Sequence, residues 1–144
     1  MSEQNFTNHG KFVPLYHFFA LPMLIINFGW SIYRWIVAGF SIGGLEWVLT
    51  AAALFWGVLY GRLFALRVQD RLIRLEERLR YERILPEELR WRADELTTDQ
   101  FISLRFASDE ELPALMRKVL DDKLTERKAI KQLIKNWRPD YLRA

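Results

Sequence analysis

The stretch LEWVLTAAALFWGVLYGRLFALRVQDRLIRLEERLRYERI, residues 45–84, decides how this chain is read. Residues 45–64 are almost wholly apolar, with Glu46 at one end and Arg62 near the other. A helix needs about 20 mainly apolar residues to cross a hydrocarbon core of about 30 Å. From Arg62 onward arginine recurs every few residues, and no apolar run of that length follows. No proline interrupts these positions, so one helix is predicted over residues 45–84, leaving lipid at Arg62 and continuing into water as a stalk.

Toward the N-terminus, residues 14–37 form a second apolar run of spanning length. Pro14 suits a first helical turn, where its missing N–H costs nothing. Pro22 lies inside the run and predicts a kink near residues 18–21. Ser41-Ile42-Gly43-Gly44 reads as the turn that makes the two runs a hairpin. Aromatic residues gather near the expected boundaries, and Tyr16, Trp35, Trp47 and Arg62 are taken as the membrane-boundary anchors. Ala38-Gly39-Phe40 lacks the small-x-small pattern of a signal-peptide cleavage site, so the first run reads as retained. The soluble alternative is a pair of buried core helices.

Charge patterning agrees with this division. The chain has 21 basic and 18 acidic residues, and only Glu3, Lys11, Arg34 and Glu46 precede Arg62. The formal charge of +3 therefore belongs to the second part, which is too balanced for a nucleic-acid-binding arm. The positive-inside rule places both termini in the cytoplasm, because Arg62, Arg67, Arg71 and Arg74 follow the second run while the turn has no base. Cysteine is absent, which excludes disulfides and thiolate chemistry. Asn5-Phe6-Thr7 fits a glycosylation sequon and reads as chance.

Two patterns along the long helix suggest contact. Ala53, Gly57, Gly61 and Ala65 recur every fourth residue, a ridge that lets backbones approach closely in lipid. It serves either packing against the first run or a seam for a protein partner or a homo-oligomer. Gly61, Ala65, Val68, Leu72, Leu75 and Leu79 alternate spacings of four and three, a heptad seam running into water. Either the tail folds back over that seam or a second copy covers it. Asp70 with Arg74, and Glu76 with Arg80, have the spacing of helical ion pairs.

Leu85-Pro86 ends the stalk and opens a small helical domain. Thr97 with Gln100, and Ser108 with Glu111, have the spacing of capping boxes. Thr125 is read as the cap of a last helix carrying Ile130, Leu133, Ile134 and Trp137 on one face, stopped by Pro139. Its core is expected from Trp91, Leu96, Phe101, Leu104, Phe106, Leu112, Leu115, Leu120, Ile130, Ile134 and Trp137. Arg127, Lys128, Lys131, Lys135 and Arg138 surround the last helix's apolar face. They allow either a lipid-lying helix or a solvated basic face.

Catalytic constellations are not found. His9 and His17 are the two histidines, and His17 is weighed as an axial ligand against an ordinary interfacial role. Asn27, deep in the first run, more readily makes an interhelical hydrogen bond than lines an ion path. No phosphate loop, dinucleotide fingerprint or zinc spacing occurs, and Ser108-Asp109-Glu110-Glu111 lacks the glycine of a calcium loop.

Gln4-Asn5-Phe6 with Asn8-His9, the block from Ser103 to Pro113, and Ile134-Lys135-Asn136-Trp137-Arg138-Pro139-Asp140-Tyr141 together resemble a family of short bacterial two-span membrane proteins catalogued as a domain of unknown function. The resemblance implies a bacterial cytoplasmic-membrane setting and brings no activity or cofactor. Asn136, Arg138 and Asp140 around Pro139 are expected either to close the domain as a polar cluster or to face a partner.

The expected fold is all-α. Residues 1–13 form a cytoplasmic segment, 14–66 a transmembrane hairpin, 67–84 a stalk and 85–144 a small cytoplasmic helical domain. The expected function is a non-enzymatic membrane-anchored adaptor or accessory subunit. Its partners are the lipid bilayer and a protein partner or second copy, with no nucleic acid and no cofactor. A small homo-oligomeric channel or transporter is the alternative.

Overall fold

The computed structural model describes Phe6 and residues 13–140. Lys11, Phe12, His9, Asn5 and Thr7 of the sequon, and Tyr141 lie outside the described residues. The chain is all-α, with helices α1 (Leu21–Val37), α2 (Ile42–Ile84), α3 (Glu87–Arg92), α4 (Thr98–Leu104), α5 (Leu112–Asp121) and α6 (Arg127–Gln132). It divides into two compact units, one within residues 11–65 and one from residue 66 onward. The helical segment Leu15–Val37 and α2 are each long and apolar enough to cross a membrane.

In the first unit, where Pro22 led to the expectation of a kink near residues 18–21, the structure has a π-helical turn, Leu15–Ala20, directly before α1. The Leu21 N–H reaches back to the Tyr16 carbonyl, five residues away. Widening the turn moves backbone away from the pyrrolidine ring, which would otherwise clash with the carbonyl four residues before it.

The turn lies earlier than Ser41-Ile42-Gly43-Gly44, because α1 ends in its own cap. Gly39 takes a positive φ of 66°, the Phe40 N–H donates to the Trp35 carbonyl at 3.0 Å, and the Gly39 N–H donates to the Ile36 carbonyl at 3.0 Å. This double bond pattern is a Schellman motif. Its usual apolar contact is present as the edge-to-face pair of Trp35 and Phe40, 5.1 Å apart. Ser41 then caps α2, its Oγ accepting from the Gly44 N–H at 3.2 Å. Gly43 and Gly44 therefore sit in the first turn of α2, and the sequence reading placed the turn too late.

Gly44 also permits a close approach. A Cβ there would lie 2.6 Å from Cδ1 of Trp35, whose indole N–H donates to the Ser41 carbonyl. At Gly43 a Cβ would meet nothing within 4 Å. Deeper in the hairpin, Phe28 and Phe55 stack with centroids 6.2 Å apart, and Ala51 is buried.

The second unit is built on the C-terminal part of α2. Tyr81 and Leu85 are buried with Leu89 of α3, Phe101 and Leu104 of α4, Leu112, Leu115, Met116 and Val119 of α5, and Ile130 of α6. The spacing of the four α5 residues is that of one helix face. Tyr81 stacks on Phe101 at 5.4 Å. The Thr97–Gln100 capping box is complete, with the Thr97 Oγ1 accepting from the Gln100 N–H and the Gln100 Oε1 accepting from the Thr97 N–H.

Four local expectations change. Trp91 is 77% exposed, because the six-residue α3 turns only Leu89 fully inward. The Ser108–Glu111 box is half formed: Ser108 Oγ accepts from the Glu111 N–H, but the Glu111 carboxylate accepts from the Lys135 and Asn136 N–H groups instead. The last helix is capped at Glu126 rather than Thr125 and ends at Gln132. Trp137 then pairs antiparallel with Ala107 as an isolated bridge and stacks on Phe106 at 4.6 Å. Lys131 is buried over Phe106, and Arg127 pairs with Asp99 at 2.6 Å, so the face of α6 that carries Ile130 and Lys131 packs into the domain.

Gly44→Ala is expected to lower the thermal stability of the hairpin by about 1–3 kcal/mol through overpacking against Trp35. Gly43→Ala is expected to be neutral or to raise it by up to about 1 kcal/mol from helix propensity. Melting of the purified chain followed by circular dichroism in detergent separates the two.

Candidate functional site

The predicted contact residues lie on an uncovered face. Ala53, Gly57, Gly61 and Ala65 are all exposed, and a Cβ added at Gly57 or Gly61 would meet nothing within 4 Å. The ridge therefore does not pack on α1; Ala51 and Phe55, on another side of α2, face inward instead. Among the expected anchors, Trp47 is exposed, Trp35 is tied to the turn, and Arg62 lies over the Tyr16 ring at 5.9 Å. His17 Nδ1 sits 2.9 Å from the Val13 carbonyl, so that nitrogen is engaged by local backbone.

In the helical domain, Val68, Leu72, Leu75 and Leu79 are 65%, 52%, 55% and 51% exposed. The tail does not fold over this row. It covers a different face of α2, carrying Ile73, Glu77, Arg80 and Tyr81.

That covered face holds a buried ion cluster, which the sequence reading missed. Arg80 donates through Nη2 to the Ala107 carbonyl at 2.7 Å, through Nε to Asp109 at 2.7 Å, and through Nη1 to Glu77 at 3.0 Å. The other Glu77 oxygen accepts from Arg138 at 3.3 Å, and Arg105 pairs with Asp140 at 3.3 Å. Backbone bonds close the same corner: the Arg138 N–H donates to the Phe106 carbonyl at 2.7 Å, and the Ser108 N–H to the Asn136 carbonyl at 3.0 Å. Arg138 and Asp140 thus help close the domain. The helical pairs read from spacing do not form as expected. Arg80 turns to Glu77 and Asp109 rather than Glu76, and Arg74 lies over the Phe101 ring at 5.8 Å. The available signal was the charged residues at 77 and 80 interrupting a face that carries Ile73, Tyr81 and Ile84.

Burial pushes the Glu77 carboxyl above its ordinary value of 4.5, while Arg80, Arg138 and Arg105 pull it partly back. Burial also pushes the Tyr81 phenol well up. The cluster ties α2 to the turn after α4 and to the segment after α6. Among the described residues, no group of three or more His, Asp or Glu is placed to hold a metal ion.

One cavity opens between α1 and α2 near their connecting turn. It measures about 550 Å³ and is lined by Asn27, Ser31 and Arg34 of α1 and by Trp47 and Thr50 of α2, among others. Asn27 is placed at this cavity rather than in an interhelical hydrogen bond. The spacing 27, 31, 34 was visible in the sequence as one helix face, although Ser31 was passed over.

Arg80→Ala is expected to destabilise the domain by about 3 kcal/mol or more, because Glu77 is left buried beside fewer cations. The shift in the denaturant midpoint measures it. The folded Glu77 value exceeds the unfolded one, so its contribution to stability is complete below pH 4.5 and is lost as pH rises through the folded value. Glu77→Gln is therefore expected to flatten the fall in melting temperature with rising pH above 4.5, measured against the unchanged chain.

All of residues 1–144 match the family described as a family of unknown function, DUF6526, and the chain belongs to that family. No curated protein and no solved structure matches it.

Proposed function

With that membership as the premise, we propose that the chain is a non-enzymatic, membrane-anchored adaptor or accessory subunit of a larger complex in a bacterial cytoplasmic membrane. The two long apolar helices form the anchor, and the arginines after residue 61 support a topology with both termini on the cytoplasmic side. The helical domain is the docking module. The observation that carries the reading is the row Val68, Leu72, Leu75 and Leu79, four large apolar residues at least half exposed on one helix face. A folded soluble surface seldom leaves such a row in water without a partner.

The occupant that fits the row is a second copy of α2. Chains inserted with one topology lie parallel, and the heptad register then puts Arg71 at g opposite Glu76 of the partner copy at e. The next such pair, Arg78 with Arg83, is like-charged, but Arg78 is neutralised within its own chain by Asp94 at 2.6 Å. The accessory subunit is thus a pair, and each pair offers two domains to the larger complex.

Because the chain has no cysteine, single cysteines report contact cleanly. In native membranes, Leu75→Cys is expected to give an oxidised species of twice the chain mass, and Glu110→Cys only the monomer. A monomeric Leu75→Cys chain, or an adduct exclusively to other proteins, overturns the pairing. A chain that co-purifies with no host protein overturns the adaptor reading.

A further inference from the structure

We propose that the cavity between α1 and α2 is a binding site for an anionic phospholipid. The inference rests on the membrane reading above and adds a ligand class to it. Over residues 21–37 the strongly polar side chains are Asn27, Ser31 and Arg34. At spacings of four and three they share one face, and all three line the cavity. An apolar helix that gathers its polar groups into one stripe over a cavity is built to hold something polar there.

The donor set indicates what. Arg34 brings a fixed positive charge and makes no ion pair among the described residues. Glu46, the sole acid in residues 13–65, is not part of the lining. The Ser31 hydroxyl donates to the Phe28 carbonyl at 2.7 Å, leaving its oxygen only as an acceptor. The Asn27 amide, the Thr50 hydroxyl and the indole N–H groups of Trp30 and Trp47 have no partner among the described residues. A cation with several unengaged donors and no lining carboxylate suits a ligand rich in acceptor oxygens and negatively charged.

Depth narrows the class further. Arg34 lies near the turn end of α1, and Asn27 lies about 10 Å further along the axis at 1.5 Å per residue. A glycerophospholipid presents its acceptors in this order: phosphate at the interface, then ester carbonyls one to two helical turns deeper. Arg34 takes the phosphate, and Thr50 and Asn27 donate to the ester region. Trp30 and Trp47 form walls whose rings suit the headgroup level. A free inorganic anion would use Arg34 alone and leave the deeper donors without acceptors. The volume of about 550 Å³ takes a headgroup and glycerol, with the acyl chains left in the surrounding lipid.

The test is native mass spectrometry of the full chain, delipidated in detergent and offered phosphatidylglycerol, phosphatidylcholine or inorganic phosphate. The expected result is at least a tenfold preference for phosphatidylglycerol over phosphatidylcholine, with no retention of phosphate alone. Arg34→Gln abolishes the preference while Arg62→Gln keeps it, which separates the cavity from the basic tail. Asn27→Leu lowers retention of both lipids several-fold but keeps the preference. Circular dichroism confirms that each variant retains its helices. Equal retention of the two lipids, or an Arg34→Gln chain that still discriminates, overturns the site. Retention of phosphate without lipid overturns the lipid and makes this a free-anion site. Release of the chain from membranes by alkaline wash overturns the anchor itself, whereas a chain that stays but shows no lipid preference overturns only the site.

Discussion

The Arg80–Glu77 pair is the constraint on which the helical domain depends. A buried guanidinium is tolerated only if its donors are met, and Arg80 meets them with a carboxylate on its own helix, a second carboxylate at Asp109 and the Ala107 carbonyl. Those partners fix the turn after α4 against α2. Glu77 in turn reaches Arg138, which brings the segment after α6 to the same corner. The stack of Trp137 on Phe106 then closes the apolar side of that corner. Little of this stabilises the fold more than a well-packed apolar substitute would. What the cluster supplies is a link, since Arg80 and Glu77 tie the turn after α4 and the segment after α6 to one stretch of α2.

The same constraint explains the uncovered leucines. Successive helix residues turn by about 100°, so α2 cannot present both the charged face and the leucine row to the tail. The buried pair takes the tail, and the row is left outward. Reading apolar periodicity alone favours the leucine row as the covered face, because Glu77 and Arg80 interrupt the apolar period of the other face. For the same reason the arginines at 74 and 80 read as surface partners, although the fold uses them as a ring contact and a hub.

Much of the architecture was legible where local chemistry decides the outcome. The two apolar runs, the unbroken long helix, the proline at 86 and the Thr97–Gln100 box depend on neighbours within a few residues. The turn at Gly39 was missed because Gly43 and Gly44 are a stronger generic turn signal. Only the Trp35–Phe40 contact and the approach of Trp35 to Gly44 show which glycines do which work. The end of α6 was missed because Ile134 and Trp137 continue a helical period, while the Glu111 carboxylate takes the N–H groups of Lys135 and Asn136 and draws the chain out. The Asn27–Ser31–Arg34 stripe was readable from spacing, and its meaning came only with the cavity.

The ion cluster also sets a timetable. Synthesis runs from Arg80 toward Asp140, and the partner that completes Glu77 lies 61 positions further on. At about 5–20 residues per second, several seconds separate the two ends of that ion pair. Throughout that interval the inner face of α2 stays hydrated and charged, while the leucine row is already present. A nascent chain therefore carries its exposed leucine row before its own domain has shut, because the residues that close the corner are made last.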